Sequence, residues 1–392
     1  MTTAFTTTAA PATPAAAPGS AGTAPRTAGA PLGRADAEAA AVRIAGHVRR
    51  TPLLPGLPHP GRRRDGWGLL LKAEHLQYGG SFKLRGAANA VLALGARRIV
   101  TGSSGNHGIA LARLAASLGA EVTVVLAAGA HPAKIALIRA LGARTVRVSG
   151  GVAEREDRAR ALAEETGAVL VPSSDHELVV AGQGTVGLEI LAEAPDAETI
   201  YVPTGGGGLL AGVCLAAYGH PVRVVGVEPA CTPRYARSLA AGRAVRLAPS
   251  DTVADGLRGQ QPGAVPYPVI RDRVDDLITV SDAEILAAAT FLRRRGVEAE
   301  PSGAVALAGA MRVGRGNGRS VAVVSGGNTT AALAASVTAA TPALATPLPA
   351  APAAPEAPAH PCLPSLTAVV SRTSLAAGTP VAAARPFLEE IS

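Results

Sequence analysis

The chain has 392 residues, 48% apolar but only 3% aromatic, with 37 basic against 29 acidic residues and a formal net charge of +8. That length suits one large domain or two ordinary ones, with a core built from Ala, Val, Leu and Ile. No breaker-free apolar run is long enough to cross a bilayer, and the short basic runs Arg62–Arg64 and Arg293–Arg295 lack interleaved aromatics, so neither a membrane nor a nucleic acid is an expected partner.

Residues 1–33 are Ala/Pro/Thr-rich and read as a disordered tail, unable to bury enough apolar area to order themselves. They show no basic start followed by a compact apolar stretch, so no secretory signal is expected; a transit peptide stays open, since Arg is their only charge. From residue 34, β-branched runs alternate with helical patterns. Strands are expected at Leu69–Lys72, Ile99–Thr101, Val122–Leu126, Thr145–Val148, Val169–Val171, Ile200–Val202, Val222–Val227 and Val321–Val324. Helices are expected at Gly108–Leu118 before Gly119, at Pro132–Leu141 before Gly142, and from the capping box Ser281-Asp-Ala-Glu284 to near Gly296. The alternation predicts an α/β fold with parallel sheet, and the eight strands fit two sheets better than one. Residues 341–392 are Pro/Ala-rich and read as a second disordered tail, leaving 34–340 as the folded unit. The cysteines Cys214, Cys231 and Cys362 are odd in number, far apart and form no CxxC pair, which predicts a reduced, cytoplasmic setting and no zinc or disulfide framework.

Three glycine-rich turns follow strand candidates, where open α/β sheets hold their ligands: Thr101-Gly-Ser-Ser-Gly-Asn-His-Gly108, Pro203-Thr-Gly-Gly-Gly-Gly208 and Ser325-Gly-Gly-Asn328. Gly205, Gly206, Gly207 and Gly208 run into a helix over Leu209–Tyr218, so backbone N–H groups and a helix dipole converge on an anion. The plain alternative is a packing turn; a phosphate is the better guest. A GxxxxGK motif followed by Ser or Thr is absent, as is a GxGxxG turn after an early strand, which disfavours nucleoside triphosphates and dinucleotides. A small phosphorylated cofactor remains. Of the 37 basic residues only Lys72, Lys83 and Lys134 are lysines. Where arginine serves elsewhere, a lysine points to chemistry that only an amine performs, and imine formation is such chemistry. Lys72 falls in a strand and Lys134 in an amphipathic helix, and both read as structural or surface residues. Lys83 lies in Gly79-Gly-Ser-Phe-Lys-Leu-Arg-Gly86, where two glycines permit close backbone approach and Phe82 offers a flat face beside the amine.

Six motifs stand in order: Ser81-Phe-Lys-Leu-Arg-Gly86, Ser103-Ser-Gly-Asn-His-Gly108, Gly182-Gln-Gly-Thr-Val-Gly-Leu-Glu189, Gly205–Gly208, Glu300-Pro-Ser-Gly303 and Ser325-Gly-Gly-Asn328. Over about residues 40–335 the chain resembles the fold-type II pyridoxal-phosphate enzymes, and most closely their threonine/serine dehydratase and serine racemase branch. The resemblance implies a tryptophan synthase β-like, two-domain α/β fold with parallel sheets flanked by helices. Its large domain would comprise 34–97 and 176–340, and its small domain 98–175. It implies pyridoxal 5'-phosphate as cofactor, Lys83 as Schiff-base lysine and Cα base, and Ser104 on the opposite face. Phe82 would lie against the ring, Asn106 would bond its 3-oxygen, Gly205–Gly208 would cradle the phosphate, and Ser325 would meet the pyridine nitrogen. The substrate carboxylate would fall to Ser103, Ser104, Gly105, Asn106 and His107.

The activity implied is a threonine/serine ammonia-lyase, a homodimer acting on a small amino acid. The alternatives are a serine or other amino-acid racemase, or elimination or replacement on diaminopropionate or hydroxyaspartate. A serine at the pyridine nitrogen, unlike a carboxylate, does not stabilise the protonated ring; the weaker electron sink favours prompt loss of a β-substituent over transamination. The chain also departs from its family. Gln77-Tyr-Gly-Gly80 stands where Thr-Gly is more usual, so substrate fit should differ. Some relatives bind a divalent cation through a Glu and a nearby Asp; here Glu228 matches the first, but Thr232-Pro-Arg-Tyr235 offers no second carboxylate, so no metal is expected. The C-terminal segment resembles no regulatory domain, and no feedback by branched-chain amino acids is expected.

Overall fold

Strand–helix alternation gives two sheets in the computed structural model, which describes residues 31–58, 67–313 and 318–331. The strands are β1 (Leu53–Pro58), β2 (Trp67–Lys72), β3 (Arg98–Gly102), β4 (Glu121–Leu126), β5 (Arg144–Arg147), β6 (Val169–Leu170), β7 (Ala197–Pro203), β8 (Arg223–Pro229), β9 (Asp276–Val280) and β10 (Arg319–Val323). The helices are α1 (Arg34–Ile44), α2 (Lys83–Leu94), α3 (Asn106–Leu118), α4 (Pro132–Ala140), α5 (Val152–Thr166), α6 (Glu177–Glu193), α7 (Gly208–Ala217), α8 (Arg234–Ala240), α9 (Pro266–Arg273), α10 (Asp282–Arg294) and α11 (Pro301–Val313). The larger sheet runs β1-β2-β10-β7-β8-β9 and the smaller β5-β4-β3-β6. Every pairing of these strands is parallel except β1 with β2. The fold is the expected α/β one, parallel throughout except that β1 pairs antiparallel at the edge of the larger sheet.

All eight expected strands form. The two that sequence patterning passes over, β1 and β9, are the edges of the larger sheet. β1 carries Pro55 and Pro58, which break the strand signal but are tolerated at an edge, where a backbone nitrogen can face away from the ladder. The capping box opens α10 as expected: Glu284 N–H donates to Ser281 Oγ at 3.3 Å, and Ser281 N–H to Glu284 Oε2 at 2.7 Å. Most of the expected tails, residues 1–30 and 341–392, lies outside the described residues. Leu32, which falls in the segment expected to be disordered, is buried in the same core cluster as Val213 and Ile270, and Arg273 Nη2 donates to its carbonyl at 3.3 Å. Among the described residues no helix is long and apolar enough to cross a membrane.

One buried ionic cluster bears on the site because it fixes the start of α2. Arg85, fully buried two residues after Lys83, pairs with Glu74 at 2.7 Å and Glu189 at 2.6 Å. Lys72 Nζ lies 2.7 Å from the same Glu189 and donates to Thr51 O at 2.5 Å. Charges so enclosed persist only when paired, and the pairing sets the orientation of the helix that begins at Lys83. Lys72 is thus structural, as expected.

Candidate active site

The glycine-rich turns meet at the carboxyl ends of parallel strands. Gly102 of β3 leads through Ser103–Gly105 into α3, Pro203 of β7 leads through Gly205–Gly207 into α7, and Val323 of β10 leads to Ser325–Asn328. Lys83 opens α2 opposite these loops. Its approach is clasped to the third turn: Phe82 N–H donates to Ser325 O at 3.2 Å, Gly327 N–H to Gly80 O at 2.9 Å, and Asn328 Nδ2 to Gly79 O at 3.0 Å.

Lys83 Nζ donates to Ser173 O at 2.7 Å and lies 5.0 Å from the centre of the Phe82 ring. Loss of hydration pushes its pKa down to about 8, because burial penalises the charged amine and no carboxylate compensates. The cofactor-free protein should therefore condense with an aldehyde at a rate that rises with pH up to about 8 and is level above it, since only the neutral amine attacks. Reconstitution followed by visible absorption measures this; a rate still climbing towards 10.5, the ordinary lysine value, would contradict it.

The glycine loop is built so that only glycine fits at its centre. Gly207 has φ +95°, and a Cβ there would lie 1.9 Å from Tyr235 Oη; one on Gly206 would lie 2.2 Å from Ser174 Oγ. Tyr235 Oη donates to Gly206 O at 2.9 Å, which holds the loop in place. The first N–H groups of α7 follow at once, an arrangement suited to a phosphate.

Asn106, first residue of α3, donates through Nδ2 to Glu300 Oε1 and accepts at Oδ1 from Asn328 Nδ2 at 2.9 Å. The amide is thereby oriented, with one N–H still free to donate. Glu300 in turn faces Lys134 Nζ at 3.5 Å, and Lys134 binds Asp255 at 2.7 Å. Burial raises the Glu300 carboxyl, while Lys134 opposes that shift. Ser325 Oγ makes a long 3.4 Å contact to Ser302 O, so its proton can turn elsewhere.

Ser103 Oγ accepts from Gly105 N–H at 3.4 Å, and Ser104 Oγ from Ala127 N–H at 3.1 Å. His107 is buried with Nε2 3.0 Å from Val171 O, and loss of hydration pushes its pKa down to about 3. The neutral ring thus spends its N–H on a backbone carbonyl, which leaves its backbone N–H as the donor for a carboxylate. The structure therefore brings Lys83, Phe82, Asn106, Ser325, the glycine loop and the Ser103–His107 turn together on loops that follow strands of both sheets. Sequence reading misses the supports: Ser173, Ser174, Tyr235, Asp255 and the role of Glu300. Lys134 is structural, one of the two roles expected of it: it is buried and paired with both Asp255 and Glu300.

A family model described as a pyridoxal-phosphate dependent enzyme matches residues 44–326. The chain belongs to this family. It is 40% identical over 295 residues to an L-threonine ammonia-lyase of Geobacter sulfurreducens, covering 73% of each protein. It is 38% identical over 279 residues to a serine racemase of Oryza sativa subsp. indica, covering 69% of this chain and 81% of the relative. Among solved structures, a threonine deaminase from T.th. superposes with a TM-score of 0.68 at 42% identity, covering 76% of this chain and 99% of that one. The residues present fit pyridoxal phosphate: an amine of lowered pKa, a loop whose centre admits no Cβ before a helix N-terminus, an oriented amide and a hydroxyl proton left to turn. In this pyridoxal-phosphate enzyme Lys83 would hold the aldehyde carbon and Gly205–Gly208 the phosphate. Asn106 and Ser325 would take the ring's oxygen and nitrogen.

Proposed function

We propose that this enzyme is a threonine/serine ammonia-lyase that converts L-threonine or L-serine to the 2-oxo acid and ammonia. One observation carries the reading: the basicity of the site is one-sided. Lys83 offers an amine whose pKa is lowered to about 8, so that a substantial fraction is neutral near physiological pH, whereas Ser104 Oγ bonds a backbone N–H and, among the described residues, no side-chain base that could take its proton. Removing the Cα proton needs one base; racemisation needs a second group on the other face.

The cofactor, when bound, supplies the electron sink for the pair released at Cα. The N–H groups at the start of α3 and the Ser103 and Ser104 hydroxyls hold the substrate carboxylate, and the α3 dipole favours its charge. Lys83 takes the Cα proton. The Cα–Cβ double bond forms as the Cβ–O bond breaks, the β-hydroxyl takes up a proton equivalent to the one Lys83 removed and leaves as water, and hydrolysis of the released enamine gives the 2-oxo acid and ammonia. Asn106, fixed by Glu300 and Asn328, keeps the ring from turning as charge shifts. The ammonia-lyase and racemase relatives agree with this site on either outcome, so the distinction rests on Ser104.

The test is a chiral assay of product and remaining substrate. Wild type should release 2-oxo acid from L-threonine and L-serine with little D-isomer. Ser104→Ala should lower kcat/KM for these L-substrates by about tenfold, the scale of one lost hydrogen bond to a charged group, and impair D-isomer reactions more. Fast interconversion of L- and D-serine by wild type, with little 2-oxo acid, would promote the racemase reading. We also take 98–175, around the smaller sheet, as a small domain against 34–97 with 176–340, and the assembly as a homodimer. The free thiols of Cys214 and Cys231 fit a reducing compartment.

A further inference from the structure

At the carboxyl end of β8 the chain places a guanidinium among oxygen atoms. Arg234 is fully buried, and its Nη2 donates to Thr232 Oγ1 at 3.0 Å, to Thr232 O at 3.4 Å and to Leu257 O. Beside it the buried Glu228 carboxylate accepts from the Tyr235 and Ala236 N–H groups at 2.9 Å and 3.0 Å, and its charge acts on the guanidinium through space. A carboxylate, carbonyls and a hydroxyl are the donor set of a hard cation. Here the positive charge among them is a side chain, so a divalent ion beside Glu228 would meet a fixed like charge, and the residues do not fit a metal. Among the described residues, Nε and Nη1 of Arg234 find no acceptor. Buried donors left unpaired cost stability, so a chain that keeps this arginine gains something from its position.

That position joins two parts of the active site. The carbonyl it binds belongs to the Asp255–Leu257 turn. This turn carries Asp255, the partner of Lys134. Its Leu257 Cδ2 lies 3.0 Å from where a Cβ on Gly205 would stand, so the turn packs directly on the glycine loop. The residue next to Arg234, Tyr235, binds the same loop at Gly206 O.

We propose that Arg234 is a built-in cation, a positioning residue that fastens the Asp255–Leu257 turn and the glycine loop, so that cofactor binding in this enzyme needs no metal ion. The readout is cofactor dissociation followed by visible absorption of the holoenzyme, which is independent of whether the substrate is eliminated or racemised. In wild type, EDTA and replacement of sodium and potassium by tetramethylammonium leave cofactor affinity unchanged. Arg234→Ala weakens cofactor binding by about tenfold or more, as expected when charge-assisted bonds are lost from a buried site, and millimolar guanidinium or magnesium restores most of it. A merely structural loss would show no such rescue. Should the alanine variant fail to fold, Arg234→Lys, which keeps the charge, retains cofactor better than Arg234→Met, which keeps only the bulk. The proposal is overturned if chelation or ion replacement strips wild type of its cofactor. It is equally overturned if Arg234→Ala binds cofactor as tightly as wild type, if its loss answers to no added cation, or if the lysine and methionine variants behave alike.

Discussion

Lys83→Ala protein should be colourless with added pyridoxal phosphate and should lose turnover by a factor of at least about 10³, the scale at which removing a covalent or proton-transfer group is felt. The same amine is asked to hold the cofactor and to move the Cα proton, so no second residue can make up either loss. Lys83→Arg should behave like the alanine variant, since a guanidinium keeps its proton and does not condense with an aldehyde. The variants should nevertheless fold. Among the described residues Lys83 Nζ bonds only Ser173 O, and the start of α2 is held instead by Arg85 with Glu74 and Glu189. Visible absorption and release of 2-oxo acid measure the two losses together; an arginine variant that keeps its colour would show that another amine carries the cofactor.

Gly207→Ala should cost about 2–3 kcal/mol of stability and most of the cofactor affinity, combining left-handed backbone strain with overpacking. The new Cβ would lie 1.9 Å from Tyr235 Oη and 2.9 Å from Pro266 Cβ. Tyr235 cannot retreat, because it is buried and its hydroxyl is tied to Gly206 O. Gly205→Ala is the control: its Cβ would meet the end of the Leu257 side chain at 3.0 Å, which can shift. Thermal unfolding and cofactor titration should rank the two variants far apart. Equal effects would mean that the loop tolerates a side chain and that its glycines serve flexibility rather than close approach.

What the sequence discloses and what it conceals follow from how local each signal is. Lys83 is legible because arginine replaces lysine almost everywhere else, and the glycine loop because a run of glycines before a helix is local chemistry. The orientation of Asn106 is not legible, since it depends on Glu300, 194 residues away, and on Asn328, 222 residues away. Lys134 reads as structural or surface from the sequence alone, and the structural role depends on Asp255 and Glu300 reaching it from distant loops. His107 offers two ring nitrogens on paper, but burial keeps the ring neutral and Val171 O takes its N–H. In the fold, β1 is hidden by its prolines, and both β1 and β9 lie at sheet edges, where patterning is weakest. The burial of Leu32 is not legible because it is a single large apolar residue at the end of a Pro/Ala-rich run.

With three lysines in the whole chain, one chemical measurement decides which of them the site is built around. Holoenzyme treated with borohydride, digested and mapped by mass spectrometry should carry the reduced cofactor on the peptide containing Lys83. Lys72, paired with Glu189, and Lys134, paired with Asp255, should be unmodified. The label on either of these lysines, or a coloured enzyme with no label on Lys83, would contradict the assignment of the active site.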